Sequence, residues 1–218
     1  MKRIVVLDLP LPPAESLAEA VGAPLAAELR RAMLRDVAEL AAGIDEATAS
    51  VRSAEADACA RIRVEAAPPA APIEEAAEAA FAEAFRAEAA SEGESGVVLL
   101  ASDAPTFPET YLWGALDMLS EHSLVISPAE DAGFVLVGLS RPAPGLFAGL
   151  PWGEPGLFAE LMRRAAEAKL SAGLLPPWYR VVGARSLGLL RGHLAALRAE
   201  GGKRLPERTA IFIDGAFG

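Results

Sequence analysis

The chain has 218 residues, of which 52% are hydrophobic, and a mean hydropathy of +0.28, so it carries enough apolar material to fill a sizeable core, which excludes intrinsic disorder. Thirty acidic residues against 20 basic ones give a net charge of −10 with only three lysines (Lys2, Lys169 and Lys203), and this excludes a nucleic-acid surface built on Lys and Arg contacts to phosphates. The single cysteine, Cys59, excludes an intrachain disulfide, and with His122 and His193 it is too small a set for a structural zinc site, which points to a cytoplasmic protein.

At this length one α/β domain spanning residues 1–218 is expected, since no Gly/Ser or charged linker divides the sequence. The apolar start over residues 4–7 is interrupted by Asp8 and followed by prolines, and no run of 18 apolar residues occurs, so neither a leader nor a membrane span is expected.

In chain order, short bulky or β-branched runs predict strands over residues 4–7, 97–100, 124–126 and 134–139. Their hydrophobicity is continuous rather than alternating, which is the pattern of strands covered on both faces of a mainly parallel sheet. Residues 24–42, with Leu25, Leu29, Met33 and Val37 four apart, and residues 109–121, with Leu112, Leu116 and Leu119 on one face, predict helices between them. The Ala/Glu tract from Ile73 predicts a further helix, weakly anchored because Ile73, Phe81 and Phe85 are its only bulky apolar side chains. Residues 156–170 and 184–199 read as helices, residues 171–175 as a short strand before Pro176-Pro177, and residues 209–213 as one more strand. The expected architecture is a three-layer α/β/α sandwich with a mainly parallel mixed sheet.

In an open α/β sheet the ligand crevice lies beyond the carboxyl ends of the strands. Two such ends carry aspartates: Ala101-Ser102-Asp103-Ala104-Pro105, and Ser127-Pro128-Ala129-Glu130-Asp131-Ala132-Gly133-Phe134. Converging carboxylates suit a magnesium ion held between protein and a nucleotide diphosphate. By spacing alone, Asp103 is equally readable as a turn or helix-cap residue and Asp131 as part of a hairpin turn. No Gly-x-Gly-x-x-Gly or Walker loop follows the first strand, which removes dinucleotide and P-loop chemistry. Cys59, among alanines, reads as an inert thiol, and His122 and His193 as structural.

The stretch over residues 101–182 resembles the rSAM/selenodomain-associated transferases, which include arsenosugar biosynthesis glycosyltransferases and have the GT-A nucleotide-diphospho-sugar transferase fold. At longer range it is similar to phospholactate and molybdenum-cofactor guanylyltransferases. The segments that carry the likeness are the one around Asp103, Asp131-Ala132-Gly133-Phe134 running into a strand, the Pro151-Trp152 pair and Leu175-Pro176-Pro177-Trp178-Tyr179-Arg180. The resemblance implies transfer of a glycosyl or nucleotidyl group from a nucleotide or nucleotide-sugar donor to a small-molecule acceptor, assisted by Mg²⁺ or Mn²⁺. It implies that Asp103 holds the metal, that Asp131 is catalytic and, with Gly133 and Phe134, lines the acceptor side, and that Trp152 and Tyr179 wall the cleft.

The departures are equally specific. The first-loop Lys-Thr-Arg triplet of that family is Ala14-Glu15-Ser16 here, its late Asp-x-Asp pair is Arg180 and Val182, and an arginine near position 76 is replaced by Ala76 and Ala77. Arg180 would then either supply the positive charge that the first loop lost, by bidentate pairing with phosphate, or lie on the surface. A family member that keeps the fold and binds or scaffolds without catalysis is the alternative function.

Overall fold

The computed structural model describes residues 2–8, 17–53, 63–66, 73–88, 96–130, 133–201 and 204–217. Seven strands form one sheet: β1 (Lys2–Leu7), β2 (Ala47–Ser53), β3 (Arg63–Ala66), β4 (Gly96–Ala101), β5 (Leu124–Pro128), β6 (Phe134–Leu139) and β7 (Ala172–Leu174). The helices are α1 (Leu17–Val21), α2 (Ala23–Ala42), α3 (Ile73–Glu88), α4 (Glu109–Met118), α5 (Leu157–Glu167), α6 (Ala184–Ala199) and α7 (Glu207–Phe217). The strand order is β3-β2-β1-β4-β6-β5-β7, parallel throughout except for β6, which runs against both β4 and β5.

The continuous apolar strands are covered on both faces, and the two-residue period of the strand sorts their side chains. Ile4, Val6, Val98 and Leu100 pack under Leu34, Val37 and Ala38 of α2 and Leu112, Ala115 and Leu116 of α4. Their neighbours Val5, Val97 and Leu99 face the opposite layer, made by Ala77, Ala80, Phe81 and Ala84 of α3 and Leu157, Leu161 and Ala165 of α5. Three layers follow from that sorting, as the sequence predicts.

The alanines of α3 let its backbone lie close to the sheet, and bulk comes from Phe81, whose ring stacks on Phe147 at 5.4 Å between centroids. Polar ties hold it as well: Glu78 accepts the Phe147 N–H at 3.0 Å, and Glu83 pairs with Arg52 on β2. The helix is therefore better anchored than its composition suggests. In α2, Leu29, Met33 and Val37 are buried as their spacing predicts, whereas Leu25 lies on the exposed side.

A third apolar cluster joins α1, the first half of α2, α6 and α7 through Leu17, Leu29, Met33, Leu190, Leu194 and Ile213. Here one expectation is corrected. Residues 209–213 are helical, inside α7, and not a strand. The cause is a tertiary cap: Asp36 of α2 accepts the backbone N–H groups of Arg208 at 3.2 Å and Thr209 at 2.7 Å, satisfying donors that the first helical turn leaves open. Burial pushes the Asp36 carboxyl up, against those N–H donors and Arg208.

Candidate functional site

Leaving β1, the chain builds outward through β2 and β3, then returns to the other side of β1 to make β4. The strand order therefore reverses between β1 and β4, and an open α/β sheet leaves its ligand crevice at that switch point, beyond the carboxyl ends. One aspartate follows each of the two strands. Asp8, just past β1, accepts the hydroxyls of Ser53, the last residue of β2, at 2.6 Å and Ser102, just past β4, at 3.2 Å. The ladder continues in the backbone, with Asp8 N–H on the Arg52 carbonyl at 3.0 Å and Ser102 N–H on the Leu7 carbonyl at 3.1 Å. The sequence reading treats Asp8 only as an interruption of an apolar run, and so passes over it.

Asp103, past β4, meets Arg180 in a fork: Nε donates to Oδ1 at 2.9 Å and Nη2 to Oδ2 at 2.5 Å. The arginine side chain is 4% exposed and the aspartate 17%, so Arg180 is a buried residue and the surface alternative is removed. The backbone clamps the same two segments together, with Val181 N–H on the Asp103 carbonyl at 2.8 Å. Before it, Trp178 N–H bonds the Pro128 carbonyl at 3.0 Å, and after it the Ser186 hydroxyl accepts the N–H groups of Val182 and Gly183 at the start of α6. These contacts fix the main chain on both sides of Arg180, and the fork to Asp103 holds its guanidinium.

Tyr179, the preceding residue, serves different partners. Its buried hydroxyl accepts from Thr106 Oγ1 at 2.7 Å and lies 2.9 Å from His193 Nδ1, so a donated proton there leaves the imidazole neutral with Nδ1 as acceptor. Burial lowers the His193 pKa below the usual imidazole value of 6.5, which agrees with that neutral ring. Burial likewise pushes the Tyr179 phenol up to about 12. Trp178 stacks on Tyr179 at 5.8 Å and faces His193 at 5.7 Å. A cavity of about 520 Å³ opens beside this relay, bordered by Asp36, Phe107, Glu109, Trp178, His193 and Glu207; Asp103 and Arg180 do not line it.

The other expected site residues are distributed along the β5–β6 side. Gly133 is buried and its carbonyl accepts the Ala129 N–H at 3.0 Å, closing the hairpin. Phe134 opens β6 with its ring edge-on to Trp152 at 5.5 Å and tilted against Phe147 at 6.4 Å. Trp152 is half-buried, and its indole N–H has no partner among the described residues. Tyr179 contacts Thr106, His193 and Trp178 rather than the Asp103–Arg180 pair. Asp131, Cys59 and the first-loop Ala14, Glu15 and Ser16 lie outside the described residues. Ala76 and Ala77 are buried on α3, where the family that the sequence resembles has an arginine nearby. His193, read from sequence as structural, bonds Tyr179, 14 positions away.

The metal that the sequence resemblance implies was expected on Asp103. Each of its oxygens already takes an N–H from a guanidinium that stays protonated at any working pH. A divalent ion roughly 4 Å from that fixed cation would meet about 8 kcal/mol of repulsion at an effective dielectric of about 20. Among the described residues no group of three or more His, Cys, Asp or Glu is arranged to hold a metal. Asp103 therefore does not fit a divalent cation while Arg180 is in place.

The fold has solved counterparts. A protein from Desulfovibrio desulfuricans G20, provisionally named a nucleotide-diphospho-sugar transferase, superposes with a TM-score of 0.77 at 24% identity, over 99% of this chain and 96% of that one. CMP:2-keto-3-deoxy-manno-octonic acid synthetase, solved with CTP, gives 0.56 at 12% identity over 89% and 98% of the two chains. The 4-diphosphocytidyl-2C-methyl-D-erythritol synthase of Anaerococcus prevotii DSM 20548 gives 0.52 at 10% identity, also over 89% and 98%. The fold is thus that of nucleotide-diphospho-sugar transferases, and among the described residues no helix is long and apolar enough to cross a membrane. No curated protein matches the chain in sequence. The family described as "Uncharacterized protein conserved in bacteria (DUF2064)" matches residues 38–154, more than half of the chain, and this protein belongs to that family.

Proposed function

We propose that this protein is a GT-A-type transferase that moves a glycosyl or nucleotidyl group from a nucleotide donor to a small acceptor in the crevice between the ends of β1 and β4. The observation that carries the reading is the meeting of Asp8, Ser102, Asp103 and Arg180 at the switch point of the sheet, in a fold shared with proteins named for nucleotide-dependent transfer. The crevice would bind and orient the donor, with guanidinium N–H groups facing developing phosphate charge where a preorganised donor acts best. Phe134 and Trp152 would wall the acceptor side, and Asp131 would act on the acceptor hydroxyl. The narrower kinship with rSAM/selenodomain-associated transferases rests on the motifs between residues 101 and 182.

A second reading has its own observation. The fork between Asp103 and Arg180 neutralises both groups, which favours a family member that keeps the crevice for binding without group transfer. Calorimetric titration with nucleoside triphosphates and nucleotide sugars, followed by product analysis with candidate acceptors, separates the two. The transferase reading expects a saturable nucleotide complex and donor turnover, both weakened by Arg180→Ala. A bound nucleotide that is never consumed selects the binding reading. No thermal shift with any nucleotide at millimolar concentration overturns both, because a ligand at 100 times its dissociation constant stabilises by about 2.7 kcal/mol.

A further inference from the structure

We infer that Arg180 is the resident cation of the strand-end crevice: its guanidinium holds the place at Asp103 expected for a divalent ion, and the crevice works without metal there. The inference rests on the proposed reading for what the crevice is for, but not for what occupies Asp103. The fork uses both carboxylate oxygens, through Nε and Nη2, and a planar bidentate pair satisfies the directional demand of both partners at once. Arg180 is the more deeply buried of the two, at 4% exposure against 17%.

The backbone decides the same way. Residues on both sides of Arg180 are bonded to other elements: Trp178 to Pro128, Val181 to Asp103 itself, and Val182 and Gly183 to Ser186. Those bonds hold the Arg180 main chain beside the loop that carries Asp103. Asp8, which follows β1, is engaged by the hydroxyls of Ser53 and Ser102, one on each carboxylate oxygen. Asp103 is thereby a positioning residue: it orients Arg180, whose guanidinium takes the place of an exchangeable ion against that carboxylate.

The test uses Mn²⁺ alone as probe, with the free ion followed by its electron paramagnetic resonance signal in titrations of the full chain. Wild type is expected to take up no Mn²⁺ at millimolar concentration, and Asp103→Asn to match it. Arg180→Gln, which uncovers the Asp103 oxygens, is expected to gain Mn²⁺ binding, and Asp103→Asn added to it to abolish that gain. Wild type that binds Mn²⁺ and loses it on Asp103→Asn overturns the inference, as does a folded Arg180→Gln that binds no more than wild type. Should Arg180→Gln fail to fold, the wild type and Asp103→Asn pair still decides. Nucleotide affinity measured with EDTA and with Mg²⁺ forms a separate arm. Equal affinity supports the inference and affinity only with Mg²⁺ overturns it; no nucleotide binding in either buffer counts against the proposed function and leaves the Mn²⁺ result to decide the cation.

Discussion

Two adjacent residues, Tyr179 and Arg180, tie the same segment to the loop after β4, and they do so with opposite chemistry. Arg180 makes a charged fork with Asp103, and Tyr179 makes a neutral relay with Thr106 and His193. The difference lies in what each leaves behind when broken. Removing one end of the fork strands a charge, and a buried arginine cannot lose its proton to escape the cost. Removing one end of the relay strands only a hydroxyl or a neutral imidazole. A cleft that keeps a buried cation by pinning it to a carboxylate is therefore committed to that pairing, whereas the relay beside it is tunable.

The largest expected effect breaks the charged side. Asp103→Ala takes the forked carboxylate away from the buried Arg180 guanidinium and should cost about 3–5 kcal/mol in urea unfolding. Arg180→Met should cost less, because Asp103 is 17% exposed and water can reach the stranded carboxylate. Replacing both, as Asp103→Leu with Arg180→Met, should recover most of the loss, to within about 1–2 kcal/mol of wild type. Recovery would show that the fork is kept for something other than stability.

On the neutral side, Tyr179→Phe removes the hydroxyl shared by Thr106 and His193 and should cost about 1–2 kcal/mol by the same measurement. The smallest effect is in pH. Because burial lowers the folded His193 pKa, the unfolded chain binds the extra proton first, so stability falls as pH drops below 6.5 toward the folded value. Tyr179 acts at the other end: with its phenol pushed up to about 12, stability falls as pH rises from 10 through about 12. Thermal melts across pH should show both limbs. His193→Gln should flatten the acid limb and Tyr179→Phe the basic one.

Sequence reading recovers the parts of this molecule whose chemistry is local. Residues 4–7, 97–100, 124–126 and 134–139 are legible as strands because burial on both faces forces continuous apolar runs. β2 is not, since Ala47, Thr48, Ala49 and Ser50 carry no such run and its buried Arg52 is tolerated only through Glu83, 31 positions on. Residues 209–213 mislead for the same kind of reason: Thr209, Ile211 and Ile213 favour a strand locally, and the cap from Asp36 across the fold imposes a helix. Asp103 is readable as a strand-end carboxylate. Arg180 is readable as a candidate cation of the crevice, but its pairing with Asp103 is not, because the two stand 77 positions apart and the closure of the segment onto β5 and β4 brings them together. Asp8 could have been found by the rule that found Asp103, since it too stands immediately after an apolar strand.

The coupling free energy between Asp103 and Arg180 tests the central claim most directly. A double-mutant cycle of wild type, Asp103→Asn, Arg180→Gln and the combined variant, followed by urea unfolding, isolates the pair from the separate costs of each change. A buried bidentate pair that holds the cation of the crevice predicts a coupling of about 2–3 kcal/mol, little reduced by salt because the fork is shielded from solvent. A coupling near zero, or one that salt removes as it does for an exposed pair, would contradict it.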